Sequence, residues 1–231
     1  MNHLPKGYRA FVIGASGALG AAFVRQLQSD PRCGQVVAVS RQSSPGLDLV
    51  RESSIKACAQ ALSAQGPFHL AIDATGALTM NERGPEKRLD ELDGAQLLDL
   101  LQLNAVGPAL VLKHFTPLLA TNQRVIWAKL SARVGSIEDN RKGGWYSYRA
   151  AKAALNMLVQ TAAIEMARRR PLAVVAALQP GTVRSPLSQP FVGNAAMDPD
   201  ESAGRLLAVL DTLQPTGRAQ FVDYLGQSIS W

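Results

Sequence analysis

The chain has 231 residues, of which 47% are hydrophobic and 18% are charged, which predicts one domain with a sizeable core, or at most two small ones. Its formal net charge is +6, but the basic residues are scattered except for the arginine run at 168–170. That run falls where a long helix should end, which favours a role in complementing the helix dipole over a nucleic-acid surface. Cys33 and Cys58 stand far apart and no metal-ligand spacing occurs, so we expect neither a disulfide framework nor a metal site.

The apolar run at 10–24 is interrupted by three glycines and is shorter than the ~20 residues that a membrane-spanning helix needs. No charged start leads into an uninterrupted apolar stretch and a cleavage site, so the pattern does not indicate a signal peptide. We therefore expect a cytoplasmic protein with neither a membrane nor a nucleic acid as partner.

Short apolar runs alternate with helical patterns along the whole chain. The apolar runs predict strands at 10–14, 35–40, 46–50, 68–76, 124–131, 172–181 and 219–226. The helical patterns lie at 18–29, 53–64, 95–120, 146–169 and 199–213. Because the strands are rich in Val, Ile, Leu and Ala and do not alternate with polar residues, we expect burial on both faces. The predicted fold class is α/β: a doubly wound parallel sheet of about seven strands flanked by helices, with ligands beyond the carboxyl ends of the strands.

A glycine-rich turn, VIGASGALG, joins the first predicted strand to the first helix. Gly14, Gly17 and Gly20 are spaced three apart. Glycine permits positive φ and close approach of backbone amides to a phosphate, and a helix N-terminus attracts a pyrophosphate. The turn therefore predicts a dinucleotide site. The alternative is a tight connection that only allows the helix to pack closely.

The end of the second predicted strand bears on which dinucleotide binds. A carboxylate about 20 residues after the turn would bind the ribose 2′-OH of NAD. Here the strand is followed by Ser40 and Arg41 instead. An arginine can pair bidentately with a 2′-phosphate. We therefore expect NADP(H) to be favoured over NAD(H), the alternative being that Arg41 is an exposed cation.

Tyr148 and Lys152 lie four residues apart in the predicted helix 146–169, which places both side chains on one helical face. With this pair, the chain carries the glycine turn, DATG at 73–76, Asn104, LSARVG at 130–135 and PGTVRS at 180–185. In order and spacing, these motifs resemble the short-chain dehydrogenase/reductase family over essentially the whole chain. Within the family, the segment 130–156 is most similar to the C-factor-like and carbonyl-reductase-like members.

The resemblance implies a single NAD(P)-binding Rossmann-fold domain over 1–231, with a substrate-lid loop at about 185–198. It also implies that Tyr148 is the general acid that protonates a carbonyl oxygen as hydride arrives. Lys152 would lower the pKa of the phenol and hold the nicotinamide ribose hydroxyls. Asn104 would support a water that links the lysine to solvent. Ser131 would orient the substrate oxygen, with Ser136 as the alternative.

Further residues are implied to bind the cofactor. They are Gly14, Ser16, Gly17, Ala18, Leu19, Gly20, Ser40, Arg41, Asp48, Ala74, Thr75, Gly76, Tyr148, Lys152, Pro180, Gly181, Val183 and Ser185. Two departures from the family pattern stand out. Asp73 and Ala74 replace two asparagines, and we expect Asp73 to bond neighbouring main-chain amides instead. Ala132 stands where the second of two serines is usual.

The resemblance implies an NADP(H)-dependent oxidoreductase that transfers a hydride between the nicotinamide and a small carbonyl or alcohol substrate. The alternative is a dinucleotide-binding, C-factor-like signalling or regulatory protein with little turnover. The alanine-rich face of the helix 146–169 suggests a homodimer, or simple core burial. The charged connection at 81–92 is interpreted as a solvated loop.

Overall fold

A computed structural model gives the fold and describes residues 1–80, 83–186, 188 and 196–231. Six strands occur within these residues: β1 (Tyr8–Ile13), β2 (Cys33–Val39), β3 (Leu70–Asp73), β4 (Val125–Leu130), β5 (Ala173–Gln179) and β6 (Ala219–Asp223). They form one parallel sheet in the order β2-β1-β3-β4-β5-β6. The main helices are α1 (Ala18–Gln28), α2 (Glu52–Ser63), α3 (Gly94–Leu101), α4 (Gly107–Phe115), α5 (Tyr146–Arg169) and α6 (Pro199–Thr212).

Helices cover both faces of the sheet, which confirms the α/β class. On one face, Phe11 packs against Phe68, Phe115 and Trp127, with ring centroids 5.1, 5.4 and 6.0 Å away. This core also receives the buried residues of α2, α4 and α5. On the other face, α1 and α6 pack over the alternate strand residues. Burial of both faces explains why the strand sequences are continuously apolar.

The order of the strands reverses direction between β1 and β3. From β1 the chain moves outward to β2, and then returns to the other side of β1. Such a switch point opens a crevice at the carboxyl ends of the strands. The residues that follow or end these strands, Gly14, Asp73, Ser131 and Pro180, therefore lie along one edge of the sheet. This edge carries the candidate site.

The predicted strand at 46–50 is wrong, so the described sheet has six strands rather than about seven. The segment folds back on the end of β2, because the amide of Leu47 donates to the carbonyl of Ser40 at 2.9 Å. Asp48 then accepts the amide of Val50 through its side chain at 3.1 Å. Such local side-chain bonds compete with pairing between strands.

The helical pattern at 95–120 is confirmed, with an irregularity inside it. α3 continues through a π-helical turn, Gln102–Val106, into α4. Within this turn the side-chain amide of Asn104 donates to the carbonyl of Leu100 at 3.0 Å. In a regular α-helix that carbonyl would accept the backbone amide of residue 104. The stretch Gly94–Leu118 is long and apolar enough to cross a membrane, but here Val111 and Phe115 are buried in the core.

Candidate active site

In the glycine turn between β1 and α1, the backbone at Gly20 lies close to the backbone at Gly14. Gly14 has a φ of 82°, in the left-handed region. A Cβ on Gly20 would lie 2.1 Å from the carbonyl oxygen of Gly14, so only glycine fits there. α1 starts at Ala18 with no side-chain cap and no acidic residue in its first turn. Its first amides are thus available to an anion such as a pyrophosphate.

The loop that leaves β3 packs directly against this turn. A Cβ on Gly14 would lie 3.1 Å from Ala74 and from Thr75. The carboxylate of Asp73 accepts the amide of Thr75 at 2.9 Å and its hydroxyl at 2.6 Å. The expectation that Asp73 bonds a neighbouring main-chain amide is therefore confirmed. The glycine turn and this loop form one continuous backbone wall.

A buried ion pair that the sequence reasoning missed holds the same loop. Nζ of Lys129 lies 2.9 Å from Oδ1 of Asp73, and both side chains are 1% exposed. The two residues are register partners in β3 and β4. Lys129 also donates to the carbonyl and hydroxyl oxygens of Thr75, at 2.7 and 2.9 Å. Nothing in the run VIWAKL singles out this lysine, because its partner lies on another strand.

Asn104 fixes the next residues of the loop. Its side-chain oxygen accepts the amide of Ala77 at 3.0 Å, and its side-chain nitrogen donates to the carbonyl of Ala77 at 2.9 Å. A Cβ on Gly76 would lie 3.2 Å from Oδ1 of Asn104 and 3.4 Å from Nζ of Lys152. Asn104 and Lys152 therefore meet at Gly76.

Tyr148 and Lys152 lie one turn apart on α5, on the same buried face. They are 8% and 2% exposed. Nζ of Lys152 lies 5.6 Å from the centre of the Tyr148 ring. The same nitrogen donates to the carbonyl of Leu130 at 3.2 Å. This confirms the geometry that the four-residue spacing predicted.

The expectation that Lys152 lowers the pKa of Tyr148 is wrong for this arrangement. Burial raises the pKa of the phenol instead. Burial and the neighbouring ammonium of Lys129 lower the pKa of Lys152 to about 7, against an opposing effect of Asp73. Desolvation disfavours the charged form of both groups. Tyr148 therefore keeps its proton at neutral pH.

The start of α5 is held by Glu86, in the segment that was interpreted as a solvated loop. Residues 81–82 lie outside the described residues, but Glu86 is 3% exposed, so the interpretation is wrong at this position. Its carboxylate accepts the amide of Ser147 at 3.2 Å and also the Ser147 hydroxyl. Its carbonyl accepts the amide of Trp145 at 2.5 Å. The Trp145 ring in turn lies 6.2 Å from that of Tyr148.

Both serines considered for orienting a substrate oxygen have partners inside the protein. The hydroxyl of Ser131 donates to the side-chain oxygen of Asn156 at 2.6 Å. The hydroxyl of Ser136 donates to the carbonyl of Trp231 at 3.4 Å and accepts the amide of Asp139 at 3.0 Å. The two serines are 5% and 2% exposed. Either one would have to exchange a bond to reach a substrate.

The residues predicted for the adenosine end lie after β2. Arg41 is exposed, as a phosphate-binding arginine would need to be. The Ser40 hydroxyl accepts the amide of Gln42 at 3.1 Å, which shapes the turn around Arg41. Asp48 pairs with Arg51 at 2.8 Å and is partly exposed.

The exit of β5 supplies the opposite wall. Gly181 has a φ of 81°, and a Cβ there would lie 2.9 Å from the Tyr224 ring. The hydroxyl of Ser202, on α6, donates to the carbonyl of Pro180 at 2.7 Å. Val183 bridges to Met197, which joins the two ends of the predicted lid. The lid residues 187 and 189–195 lie outside the described residues.

Ser185, Ser16 and Leu19 complete the predicted cofactor set. The hydroxyl of Ser185 lies 3.1 Å from that of Ser188. Ser16 is exposed, and Leu19 is partly buried near the start of α1. Their roles stay predictions.

Comparison with known proteins agrees with this geometry. The family model for enoyl-(acyl carrier protein) reductase matches residues 16–219. A 1-hydroxy-2-glutathionyl-2-methyl-3-butene dehydrogenase of Rhodococcus sp. (strain AD45) is 30% identical over 193 residues, which cover 81% of this chain and 79% of the relative. The C-signal protein of Myxococcus xanthus is 33% identical over 167 residues, 72% of this chain and 94% of the relative.

Solved structures give the same result. A short-chain dehydrogenase/reductase of Burkholderia multivorans with bound NADP is 25% identical with a TM-score of 0.82, covering 97% of this chain and 99% of that one. An NADPH-bound carbonyl reductase from chicken fatty liver shares the fold at 23% identity and a TM-score of 0.84, covering 99% of this chain and 100% of that one. The chain therefore belongs to the short-chain dehydrogenase/reductase family of NAD(P)-dependent oxidoreductases.

Proposed function

We propose that this protein is an NADP(H)-dependent carbonyl reductase or alcohol dehydrogenase that acts on a small carbonyl or alcohol compound. One observation carries the proposal: Tyr148 and Lys152 are buried together on α5, and Lys152 lies against Gly76 in the loop that also touches the glycine turn. A proton donor thus stands beside a cleft whose backbone suits a dinucleotide.

The residues present fit a dinucleotide. The approach of Gly20 to the Gly14 carbonyl leaves no space for a side chain at the turn. The uncapped first turn of α1 offers amides to the pyrophosphate. Lys152 and Tyr148 would hold the nicotinamide ribose, and Arg41 would pair with a 2′-phosphate.

The cofactor supplies or accepts the hydride when it is bound. Tyr148 holds the proton that a carbonyl oxygen needs, because burial raises its pKa and keeps it protonated at neutral pH. Asn104 holds Ala77, and through it the loop that carries Gly76. Ser131 would orient the substrate oxygen after releasing Asn156.

The preference for NADP(H) rests on the exposed Arg41 after β2 and on the absence of an acid there. The Burkholderia multivorans relative, which is solved with bound NADP, supports it. The substrate class rests on the tyrosine–lysine pair and on the dehydrogenase of Rhodococcus among the relatives.

Calorimetric titration with NADPH and separately with NADH tests the cofactor. Tighter binding of NADPH is expected, and equal or tighter binding of NADH would contradict the preference. A panel of aldehydes and ketones with NADPH then tests turnover. Tyr148→Phe should lower turnover by about 10²- to 10⁴-fold and leave NADPH binding intact. Tyr146→Phe, two residues away on α5, is the matched control and should retain turnover.

A second candidate function, dinucleotide-dependent signalling with little turnover, has specific support. The Ser131 hydroxyl is engaged with Asn156, and the C-signal protein is among the relatives. Tyr148→Phe separates the two functions. A regulator should keep its biological effect in that variant, whereas an enzyme should lose it.

A further inference from the structure

Three charged side chains are buried together at the carboxyl ends of β3 and β4. Asp73 and Lys129 are each 1% exposed, and Lys152 is 2% exposed. Two amino groups therefore share one carboxylate in a place that water does not solvate. A buried charge without a counter-ion is costly, and the group gives up its charge instead. One of the two lysines is therefore left without a counter-ion and favours its neutral form.

Lys129 is the lysine that holds the carboxylate. Its Nζ lies 2.9 Å from Oδ1 of Asp73. It donates to the carbonyl oxygen of Thr75 at 2.7 Å and to the Thr75 hydroxyl at 2.9 Å. An ammonium group has three protons to donate, and these three acceptors use them all. Burial lowers the pKa of Lys129, but the charge and hydrogen bond of Asp73 oppose that shift, and the three bonds favour its charged form.

Lys152 has fewer hydrogen-bond acceptors than Lys129. Its Nζ donates to one neutral acceptor, the carbonyl of Leu130, at 3.2 Å. Within the part of the chain that the structure describes, three charged or titratable groups face it: Lys129 from β4, Asp73 from β3 and Tyr148 from α5 itself. Lys129 repels a positive charge on Lys152, and Asp73 is already bound to Lys129. Lys152 is therefore the member of the cluster that releases its proton.

The ion pair also fixes the wall that Lys152 touches. Lys129 binds Thr75, and the next residue is Gly76. A Cβ on Gly76 would lie 3.4 Å from Nζ of Lys152. The position of this wall and the charge of Lys152 thus depend on the same buried lysine.

We propose that Lys129 is a positioning residue of the cofactor site, and that burial, together with the occupation of Asp73 by Lys129, makes Lys152 a proton-labile lysine that takes up a proton from solvent when NADP(H) binds. The inference rests on the proposed function, in which Lys152 holds the ribose hydroxyls. An anionic dinucleotide and its hydroxyl oxygens favour the charged form of an amine. Binding therefore restores the charge that burial in the cluster disfavours.

The direction of the pH effect follows. In the free protein the pKa of Lys152 is about 7, and binding raises it. Well below pH 7, Lys152 is protonated in both the free and the bound protein, so this lysine does not change the affinity for NADP(H). Above pH 7, binding must take up a proton from solvent, so the affinity for NADP(H) falls as pH rises. The 2′-phosphate, with a second pKa of about 6, is already ionised in this range.

The test is calorimetric titration of the unmodified chain with NADPH, at about pH 8, in two buffers of different ionisation enthalpy. The difference in apparent enthalpy gives the number of protons taken up. We expect an uptake above roughly 0.5 proton, and an affinity that falls about tenfold or more from pH 7 to pH 9. This readout needs no turnover and no variant.

Lys129→Met assigns the effect to the ion pair. The change leaves the Asp73 carboxylate, which favours the charged form of Lys152, as the counter-ion of that lysine. The matched control is Lys113→Met, which breaks an ion pair of 2.7 Å on the surface. The Lys129→Met variant should bind NADPH with less than about threefold dependence over the same pH range, because Lys152 then keeps its proton. The control should behave as the unmodified chain does.

The outcomes are distinct. If NADPH binds without proton uptake and with constant affinity from pH 7 to pH 9, the proposal is overturned while the proposed function stands. If the Lys129→Met variant folds and keeps the full pH dependence, Lys129 is not the cause and the proposal is also overturned. If NADPH does not bind at any pH, the proposed function itself fails.

Discussion

Glu86 caps the helix that carries Tyr148: its carboxylate accepts the amide of Ser147 at 3.2 Å and also the Ser147 hydroxyl. A carboxylate at this end of a helix complements the helix dipole. Trp145, directly before the helix, is constrained as well. It has a φ of 55°, and its amide donates to the Glu86 carbonyl. Ser147 immediately precedes Tyr148, so Glu86 acts on the position of the phenol through the first turn of α5.

Glu86→Ala should lower the free energy of unfolding by about 1–3 kcal/mol, because it leaves the Ser147 amide and hydroxyl buried without an acceptor. Turnover per folded molecule should also fall, with NADPH affinity much less changed. Denaturant unfolding and steady-state kinetics measure the two effects. Glu165→Ala, an exposed change on the same helix, is the control. Unchanged stability and kinetics in Glu86→Ala would show that the cap has no role.

Lys152 should make the stability of the protein depend on pH. Its pKa is about 7 when folded, below the usual lysine value to which it returns on unfolding. Between these two values the unfolded chain binds more protons, so this lysine makes the free energy of unfolding rise with pH. The gain begins near the folded pKa and is complete near the unfolded one.

Lys152→Met should therefore remove part of the rise in stability between about pH 7 and pH 9. Denaturant unfolding at several pH values measures the slope. Lys142→Met, an exposed lysine, should leave it unchanged. Equal slopes for the Lys152→Met chain and the unmodified chain would mean that Lys152 stays fully charged in the folded state.

Gly20→Ala should disrupt the start of α1. The new Cβ would lie 2.1 Å from the Gly14 carbonyl oxygen, so backbone must move. We expect a loss of about 1–3 kcal/mol in the free energy of unfolding and weakened NADPH binding. Gly204→Ala on α6 is the matched control, because its Cβ would meet nothing closer than 3.8 Å. That variant should gain roughly 0.5–1 kcal/mol.

Arg41→Ala should change the choice of cofactor. Loss of a charge-assisted bond to the 2′-phosphate should weaken NADPH binding by about ten- to a hundredfold and leave NADH binding nearly unchanged. Titration of each cofactor measures this. Arg141→Ala, an exposed arginine beyond β4, serves as control. A similar loss of affinity for NADPH and for NADH in Arg41→Ala would argue against a 2′-phosphate contact.

Local patterns predicted much of this protein. The helix at 146–169 begins and ends at the predicted residues, and the glycine turn joins β1 to α1 as expected. Periodicity, glycine spacing and the four-residue separation of Tyr148 and Lys152 are properties of neighbouring residues. The chain order of the motifs then identified the family without any contact information.

The errors come from hydrogen bonds and burial that periodicity and motif spacing do not report. The strand at 46–50 failed because bonds to Ser40 and Asp48 replaced a pairing partner. The burial of Glu86 depends on residues 61 positions away. The pKa of Tyr148 moved opposite to expectation because desolvation depends on everything packed around the phenol.

The sequence by itself determined the order of strands and helices, the glycine turn and the spacing of the tyrosine–lysine pair, because each of these follows from residues close along the chain. Only the tertiary structure decided that Asp73 and Lys129 meet, since this depends on the register between β3 and β4. The same register buries a second lysine beside Lys152. The pKa of Lys152 is therefore lowered by packing, which the motif does not show.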